Sequence, residues 1–113
     1  MFEKRKAGGT KEIIQGIHLK TLVYGKQTLM TEVKFEKGAV IPPHSHLHEQ
    51  TGRLISGQLE FIVDGEKIIA NSGDSWNIAG GKVHSATAIE ETVVIEVFSP
   101  MREDYLPYYT PDE

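Results

Sequence analysis

Apolar residues recur in short segments along most of the chain, and Gly, Asp, Asn or Pro interrupts them at close intervals. Segments of this kind are typical of β-strands, and no stretch sustains the period of an amphipathic helix. Several short strands at such spacing predict an all-β sandwich or barrel. The predicted strands cover residues 17–25, 27–35, 52–57, 58–65, 66–73, 75–80, 83–89 and 92–99.

Turn residues sharpen this pattern at two places. Asp64-Gly65 predicts a tight hairpin turn, because both residues tolerate the positive φ that such a turn requires. Pro42-Pro43 disfavours a helix and predicts an extended approach to residues 44–50.

The chain length fits one compact domain, since 113 residues are too few for two separate cores. We predict a single domain over residues 1–113 with a core at about 17–99. The tail, residues 100–113, carries three of the four tyrosines and is expected to pack on the barrel or on a partner subunit.

Charge and composition exclude several classes of protein. The formal net charge is −4 with both signs mixed along the chain, which disfavours a nucleic-acid partner. No long apolar run follows the basic MFEKRK start, so neither a signal peptide nor a membrane helix is expected. Without cysteine, any metal must be held by N and O ligands. These features together predict a cytoplasmic protein.

Three of the five histidines lie in HSHLHEQ, residues 44–50. In an extended strand, His44 and His46 project to one side, and Gln50 returns to that side after an even step if the chain stays extended or makes only a short detour. Two imidazoles and a carboxamide oxygen suit Zn, Ni, Fe, Mn or Co. His84, near the start of a later strand, is the candidate fourth ligand.

The alternative for this stretch is an exposed polar loop without metal, because His-x-His also occurs by chance. A turn before Gln50 would direct His48 outward, so we leave His48 out of the ligand set. His18 is isolated in the sequence and is expected to be a surface or packing residue.

The strand TVVIEVFS places Val94, Glu96 and Phe98 on one face. A carboxylate that faces a barrel interior has a raised pKa and suits acid/base catalysis. The alternative is that Glu96 is exposed at an edge. Arg102 offers a planar fork for a substrate carboxylate, or forms a local ion pair with the acidic residues that follow it.

Two glycine-bounded motifs resemble those of the cupin superfamily. They are GAVIPPHSHLHEQTGRLISG at 38–57 and GDSWNIAGGKVH at 73–84. The resemblance implies a small cupin jelly-roll β-barrel with one metal in its lumen, usually as a homodimer. Gln50 stands where the superfamily usually has glutamate, and Ala79 and Ala88 replace a common proline and asparagine. A neutral carboxamide leaves a divalent metal more Lewis acidic and less suited to oxygen activation.

A closer resemblance covers VKFEKGAVIPPHSHLHEQ, LISGQLEFIVDGE, GDSWNIAGGKVH and VVIEVFSPMREDYL. These segments resemble the small cupins of pectin and alginate degradation, which convert 4,5-unsaturated monouronates to the linear 4-deoxy-5-keto form. The resemblance implies the metal ligands His44, His46, Gln50 and His84. It also implies functional roles in the C-terminal signature, where Glu96 stands in place of an aspartate and Phe98 and Arg102 follow.

The expected function is therefore metal-dependent ring opening of an unsaturated uronate, a small sugar acid. Glu96 would transfer the proton, Arg102 would hold the substrate's carboxylate and take part in catalysis, and Phe98 would pack on the sugar ring. Two alternatives remain at this point. One is a cupin dioxygenase that uses Fe or Mn, and the other is a sugar-binding cupin without catalytic activity.

Overall fold

The computed structural model describes residues 1–111, which form ten β-strands and one 3₁₀ helix. The strands are β1 (Lys11–Ile14), β2 (Ile17–Tyr24), β3 (Leu29–Phe35), β4 (Val40–His44), β5 (Glu49–Ser56), β6 (Gln58–Val63), β7 (Glu66–Asn71), β8 (Ser75–Ile78), β9 (His84–Ala88) and β10 (Thr92–Ser99), and the 3₁₀ helix covers Glu103–Tyr108.

The strands form two antiparallel sheets that pack face to face. The first sheet has six strands in the order β1-β2-β3-β10-β5-β8, and the second has four in the order β4-β9-β6-β7. Consecutive strands such as β4 and β5 lie in different sheets, so the chain crosses between them repeatedly. This double-sheet jelly roll confirms the predicted all-β class.

Alternation within the strands places the core between the sheets. Along β5 and β10, every second side chain is buried, and those on the other face are exposed or half-buried. This is the period that a half-buried strand requires. The apolar core is a cluster of residues from both sheets: Ile17, Leu19, Val33, Phe35, Leu54, Leu59, Phe61, Ala70, Ile78, Ala86, Ala88 and Val94.

All eight predicted strands are present, most of them with shorter ends, and Asp64-Gly65 forms the predicted turn with φ values of 48° and 82°. Two strands were missed. Strand β4 contains Pro42 and Pro43. These prolines predicted an extended backbone, but they did not predict that it pairs with another strand. It lies at the edge of its sheet, where prolines need not donate to a neighbour. Strand β1 is short and mostly exposed, so it lacks a burial pattern.

The segment after β10 lies against strand β2. The Thr21 hydroxyl donates to the Tyr105 carbonyl at 2.6 Å, and the Tyr109 ring meets Tyr24 edge-on at 5.2 Å. Tyr105 and Tyr108 pack against the core cluster. The last two residues of the predicted tail, 112 and 113, lie outside the described residues. Within residues 1–111, no helix has the length and apolarity needed to cross a membrane.

Candidate metal centre and active site

Three histidines from separate positions in the chain converge between the two sheets. His44 ends β4 and His84 begins β9, and the two residues pair directly across these strands. His46 lies in the loop between β4 and β5. The ligand nitrogens of the three side chains all lie within 4.8 Å of one another. This spacing fits three nitrogen ligands around a single transition metal ion.

Backbone carbonyls hold each of these imidazoles in one orientation. The Nδ1–H groups of His44, His46 and His84 donate to the carbonyls of Pro42, His48 and Lys82 at 2.9, 3.0 and 2.8 Å. A carbonyl can only accept, so the proton of each neutral ring lies on Nδ1. The lone pairs are therefore on Nε2, as metal-binding histidines with this type of backbone support require.

Gln50 brings a carboxamide oxygen, a candidate fourth ligand, to the same point from the opposite sheet. Its Nε2 group donates to Glu96 Oε2, which leaves Gln50 Oε1 3.0 Å from His46 Nε2. With the proton of His46 on Nδ1, both of these atoms are hydrogen-bond acceptors. Two facing acceptors are favourable when a cation lies between them.

Burial provides a second test of whether a metal fits. The Nε2 atom of His84 is buried and has no hydrogen-bond partner within residues 1–111, and His84 is only 5% exposed. Buried polar atoms normally have a hydrogen-bond partner. A metal ion that binds at the atom is one explanation for a buried nitrogen that has no such partner among the protein atoms. The donor set of three imidazole nitrogens and one carboxamide oxygen fits Zn, Ni, Mn, Fe or Co.

The remaining histidines lie outside this cluster. The His48 ring is 5.7 Å from that of His46 and does not join the ligand group. His18 lies at the surface with Glu12 and Glu36, and its Nε2 is 2.9 Å from Glu36 Oε2. The two glutamates are exposed, so an ordinary surface hydrogen bond explains this second cluster.

The route by which the ligands meet differs from the one predicted. Strand alternation was expected to place His44, His46 and Gln50 on one side of a chain that is extended or makes only a short detour. Instead the chain leaves one sheet after His44 and enters the other at Glu49. The ligands thus face each other across the barrel.

A close backbone contact supports the loop that carries His46. The Gly81 amide donates to the His46 carbonyl at 2.8 Å. A Cβ atom at the preceding Gly80 would lie 2.2 Å from the Leu47 carbonyl oxygen. Real Cβ atoms do not approach this closely, so any larger residue at position 80 must displace the loop.

We expect Gly80→Ala to weaken metal binding about tenfold or more, because it displaces His46 relative to the other two histidines. Isothermal titration of the metal-free protein with Zn²⁺ or Ni²⁺ would measure this change. Gly25→Ala is the matched control, since a Cβ at Gly25 meets nothing within 4 Å. Equal affinities for the two variants would contradict the supporting role of Gly80.

Glu96 lies beside the histidine cluster on the inner face of β10, as its alternation with Val94 and Phe98 predicted. It is 7% exposed. Burial raises the pKa of the Glu96 carboxyl, and the hydrogen bonds donated by Gln50 and Trp76 act in the opposite direction. A buried carboxyl of raised pKa is suited to exchange a proton near neutral pH.

Arg102 follows β10 and covers the aromatic side of the same cavity. Its guanidinium carbon lies 4.0 Å from the Tyr105 ring centroid and 5.0 Å from that of Phe98. Its Nε donates to both carboxylate oxygens of Asp104 at 3.0 and 3.1 Å. Arg102 was predicted either to form a local ion pair or to bind a substrate carboxylate. It forms the ion pair with Asp104 and also lines the cavity.

Two aromatic residues with a hydrogen-bonding group, Trp76 and Tyr105, also line this cavity and were not among the predicted site residues. Burial raises the pKa of the Tyr105 hydroxyl to about 12, so Tyr105 is neutral at physiological pH. The sequence did carry a signal for Trp76, because it shares a strand face with Ile78. The cavity measures about 40 Å³, enough for an ion and a few waters.

The metal-free protein is expected to lose stability as the pH falls below about 6.5. Burial lowers the pKa of His44 and of His46, so the unfolded state binds more protons in this range. The raised pKa of Glu96 changes stability in the opposite direction. As the pH falls, the folded state takes up a proton at Glu96 before the unfolded state does, which partly offsets the loss of stability. In thermal melts from pH 7 to pH 5, the Tm should therefore fall more steeply with pH for Glu96→Gln than for wild type. Parallel curves of Tm against pH for the two proteins would contradict the opposing contribution of Glu96.

Comparison with known proteins adds a family context to this geometry. Residues 31–98 match the model of the Cupin domain family. The pectin degradation protein KdgF of Dickeya dadantii is 35% identical over 98 residues, which cover 85% of this chain and 89% of that protein. The structure of KdgF from Halomonas sp. matches with a TM-score of 0.82 at 34% identity, covering 86% and 90% of the two chains. A RmlC-like cupin from Shewanella frigidimarina matches with a TM-score of 0.82 at 28% identity, covering 86% and 87%.

Proposed function

This chain belongs to the Cupin domain family, and on that premise we propose that it is a metal-dependent enzyme that opens the ring of 4,5-unsaturated uronate monosaccharides. The product is the linear 4-deoxy-5-keto sugar acid. Two of its relatives are the KdgF proteins, of which that of Dickeya dadantii is described as a pectin degradation protein. Unsaturated uronates are what cleavage of pectin by elimination leaves behind.

One observation carries the proposal: a buried carboxyl, Glu96, is hydrogen-bonded to Gln50, whose oxygen faces His46. An acid/base group thus lies next to a set of four potential metal ligands. A divalent metal bound there would supply Lewis acidity to polarise the substrate's oxygen atoms. The proposed reaction requires no change in the oxidation state of the metal, which agrees with a neutral Gln50 among the candidate ligands.

The reaction is a balanced isomerisation. Glu96 as a carboxylate accepts the proton of the anomeric hydroxyl, and a C1 carbonyl forms as the bond between C1 and the ring oxygen breaks. The electron pair of that bond stays on the ring oxygen and yields an enolate at C5. Glu96 then returns the proton to C4, which completes the ketone. Atoms and electrons balance without any further reactant.

Arg102 and Phe98 are proposed to bind the substrate. The Arg102 Nε is engaged by Asp104, whereas its two Nη nitrogens donate to no acceptor within residues 1–111. They are suited to a bidentate contact with the uronate carboxylate. Phe98 is 3% exposed and can pack on the sugar ring. Because the cavity measures only about 40 Å³, we propose that the partly exposed Arg102 and Tyr105 shift when a monosaccharide binds.

The proposal is tested by following the 4,5-unsaturated chromophore of unsaturated galacturonate with metal-loaded protein. We expect the absorbance to fall much faster than in buffer, with the open-chain ketone identified by NMR. Oxygen is measured in the same vessel, because uptake would indicate a dioxygenase. Binding without acceleration over buffer would leave only a sugar-binding role and would reject the enzyme.

We further propose that the protein acts in the cytoplasm as a homodimer without nucleic-acid or membrane partners. Strand β7 lies at the edge of its sheet, and Ile68 and Ile69 on it are 44% and 42% exposed. An exposed edge with apolar side chains favours pairing with a second chain. Light scattering coupled to size exclusion would give the mass of the assembly, and a monomer would reject this part.

A further inference from the structure

A row of four residues crosses the six-stranded sheet at the level of Glu96. Glu96 pairs with Thr31 on one side and with Gly52 on the other. Gly52 in turn pairs with Trp76 on β8. Residues that are directly opposite in neighbouring strands point to the same face, so Glu96, Gly52 and Trp76 all face the core.

Glycine at the middle of this row lets the two outer side chains meet. Strands β10 and β8 are two strand spacings apart, roughly 10 Å. The Trp76 Nε1–H nevertheless donates to Glu96 Oε2 at 3.1 Å. A Cβ atom at Gly52 would lie 2.3 Å from Trp76 Nε1, so the indole occupies the space that a side chain at Gly52 would fill.

The indole acts on one particular oxygen of the carboxyl. Within residues 1–111, both hydrogen bonds to the Glu96 side chain, from Trp76 and from Gln50, go to Oε2. Oε1 accepts none there, and Glu96 lines the cavity beside the histidines. The two donors therefore hold Oε2 and leave Oε1 without a hydrogen bond in a residue that lines the cavity.

We propose that Trp76 is a positioning residue that reaches over Gly52 to hold Glu96 Oε2, so that Oε1 is the oxygen that transfers the proton. This inference rests on the proposed role of Glu96. It also gives a reason for glutamate at position 96, because aspartate would withdraw the carboxyl from the indole by roughly one carbon–carbon bond. The longer side chain and the tryptophan form a matched pair.

The first test removes the donor in two ways. Trp76→Phe keeps an aromatic ring but lacks the N–H, and Gly52→Ala displaces the indole while leaving Trp76 in the chain. We expect kcat to fall about tenfold in both variants while KM stays within about twofold, because the substrate contacts are intact. Ile78→Val is the control, since it reduces packing on the same face of β8 without removing a donor. A wild-type kcat in folded Trp76→Phe would overturn the inference.

A second readout does not depend on turnover. Trp76 is the single tryptophan of the chain, so protein fluorescence reports on this indole alone. In metal-free protein, Glu96→Ala should shift the emission maximum because the indole N–H loses its hydrogen-bond acceptor, and Ile78→Val should leave the emission maximum unchanged. Superimposable spectra of wild type and Glu96→Ala would reject the contact. If wild type does not act on unsaturated uronates, the proposed function fails, and the emission comparison still decides whether Trp76 holds the Glu96 side chain.

Discussion

Replacing His84 by alanine is expected to abolish metal binding and, with it, the conversion of unsaturated uronates. His84 supplies a buried Nε2 that has no other partner within residues 1–111, and its Nδ1 is anchored to the Lys82 carbonyl. Loss of a direct ligand exceeds the effect of losing an outer hydrogen bond, so affinity should fall by more than about 100-fold. Metal content after dialysis and the rate of chromophore loss measure the two effects.

His48→Ala is the matched control for this variant. It removes an imidazole from the same stretch, and the ring of His48 lies outside the ligand group. The His48 carbonyl that orients His46 belongs to the backbone and is retained. His48→Ala should therefore keep its metal and its rate. Stoichiometric metal at wild-type affinity in His84→Ala would reject the site.

Replacing Glu96 by glutamine should lower kcat by about 100- to 10,000-fold and leave the metal bound. The variant keeps the length of the side chain and an oxygen that accepts from Trp76, but it cannot accept and return a proton. Steady-state kinetics together with metal analysis separate loss of proton transfer from loss of metal.

Glu96→Asp should cause a smaller loss of kcat, because it keeps the carboxyl group but withdraws it by roughly one carbon–carbon bond. We expect it to retain more activity than Glu96→Gln and less than wild type, since proton transfer is sensitive to small displacements. A wild-type kcat in Glu96→Gln would rule out Glu96 as the proton-transferring group, whatever the metal content.

Local pattern predicted most of the strands because alternation records which face is buried. Strand β10 matches its predicted range, and the inward side chains include Val94, Glu96 and Phe98 as expected. Strand β4 could not be predicted from local pattern. Its two prolines and mostly exposed side chains carry no burial signal, and its pairing with β9 depends on the second sheet.

The choice of the four candidate ligands rested on their types and spacing together with the cupin resemblance. The prediction allowed either a continuous extension or a short detour before Gln50, and the structure has the detour, because residues 45–48 form a loop between the two sheets. Gln50 and His44 lie in opposite sheets, and the barrel interior is where they meet. Spacing along the chain can identify ligands, but only packing of the sheets sets the distances between them.

The sequence by itself determined the all-β class, the turn at Asp64-Gly65 and the polar residues that stand at inward positions, since each depends on neighbours along the chain. Only the tertiary structure decided that Gln50 Nε2 points to Glu96 and that Trp76 reaches Glu96 over Gly52. These contacts join strands distant in sequence, and their geometry depends on strand register and on the absence of a side chain at one position. No local pattern encodes either of these.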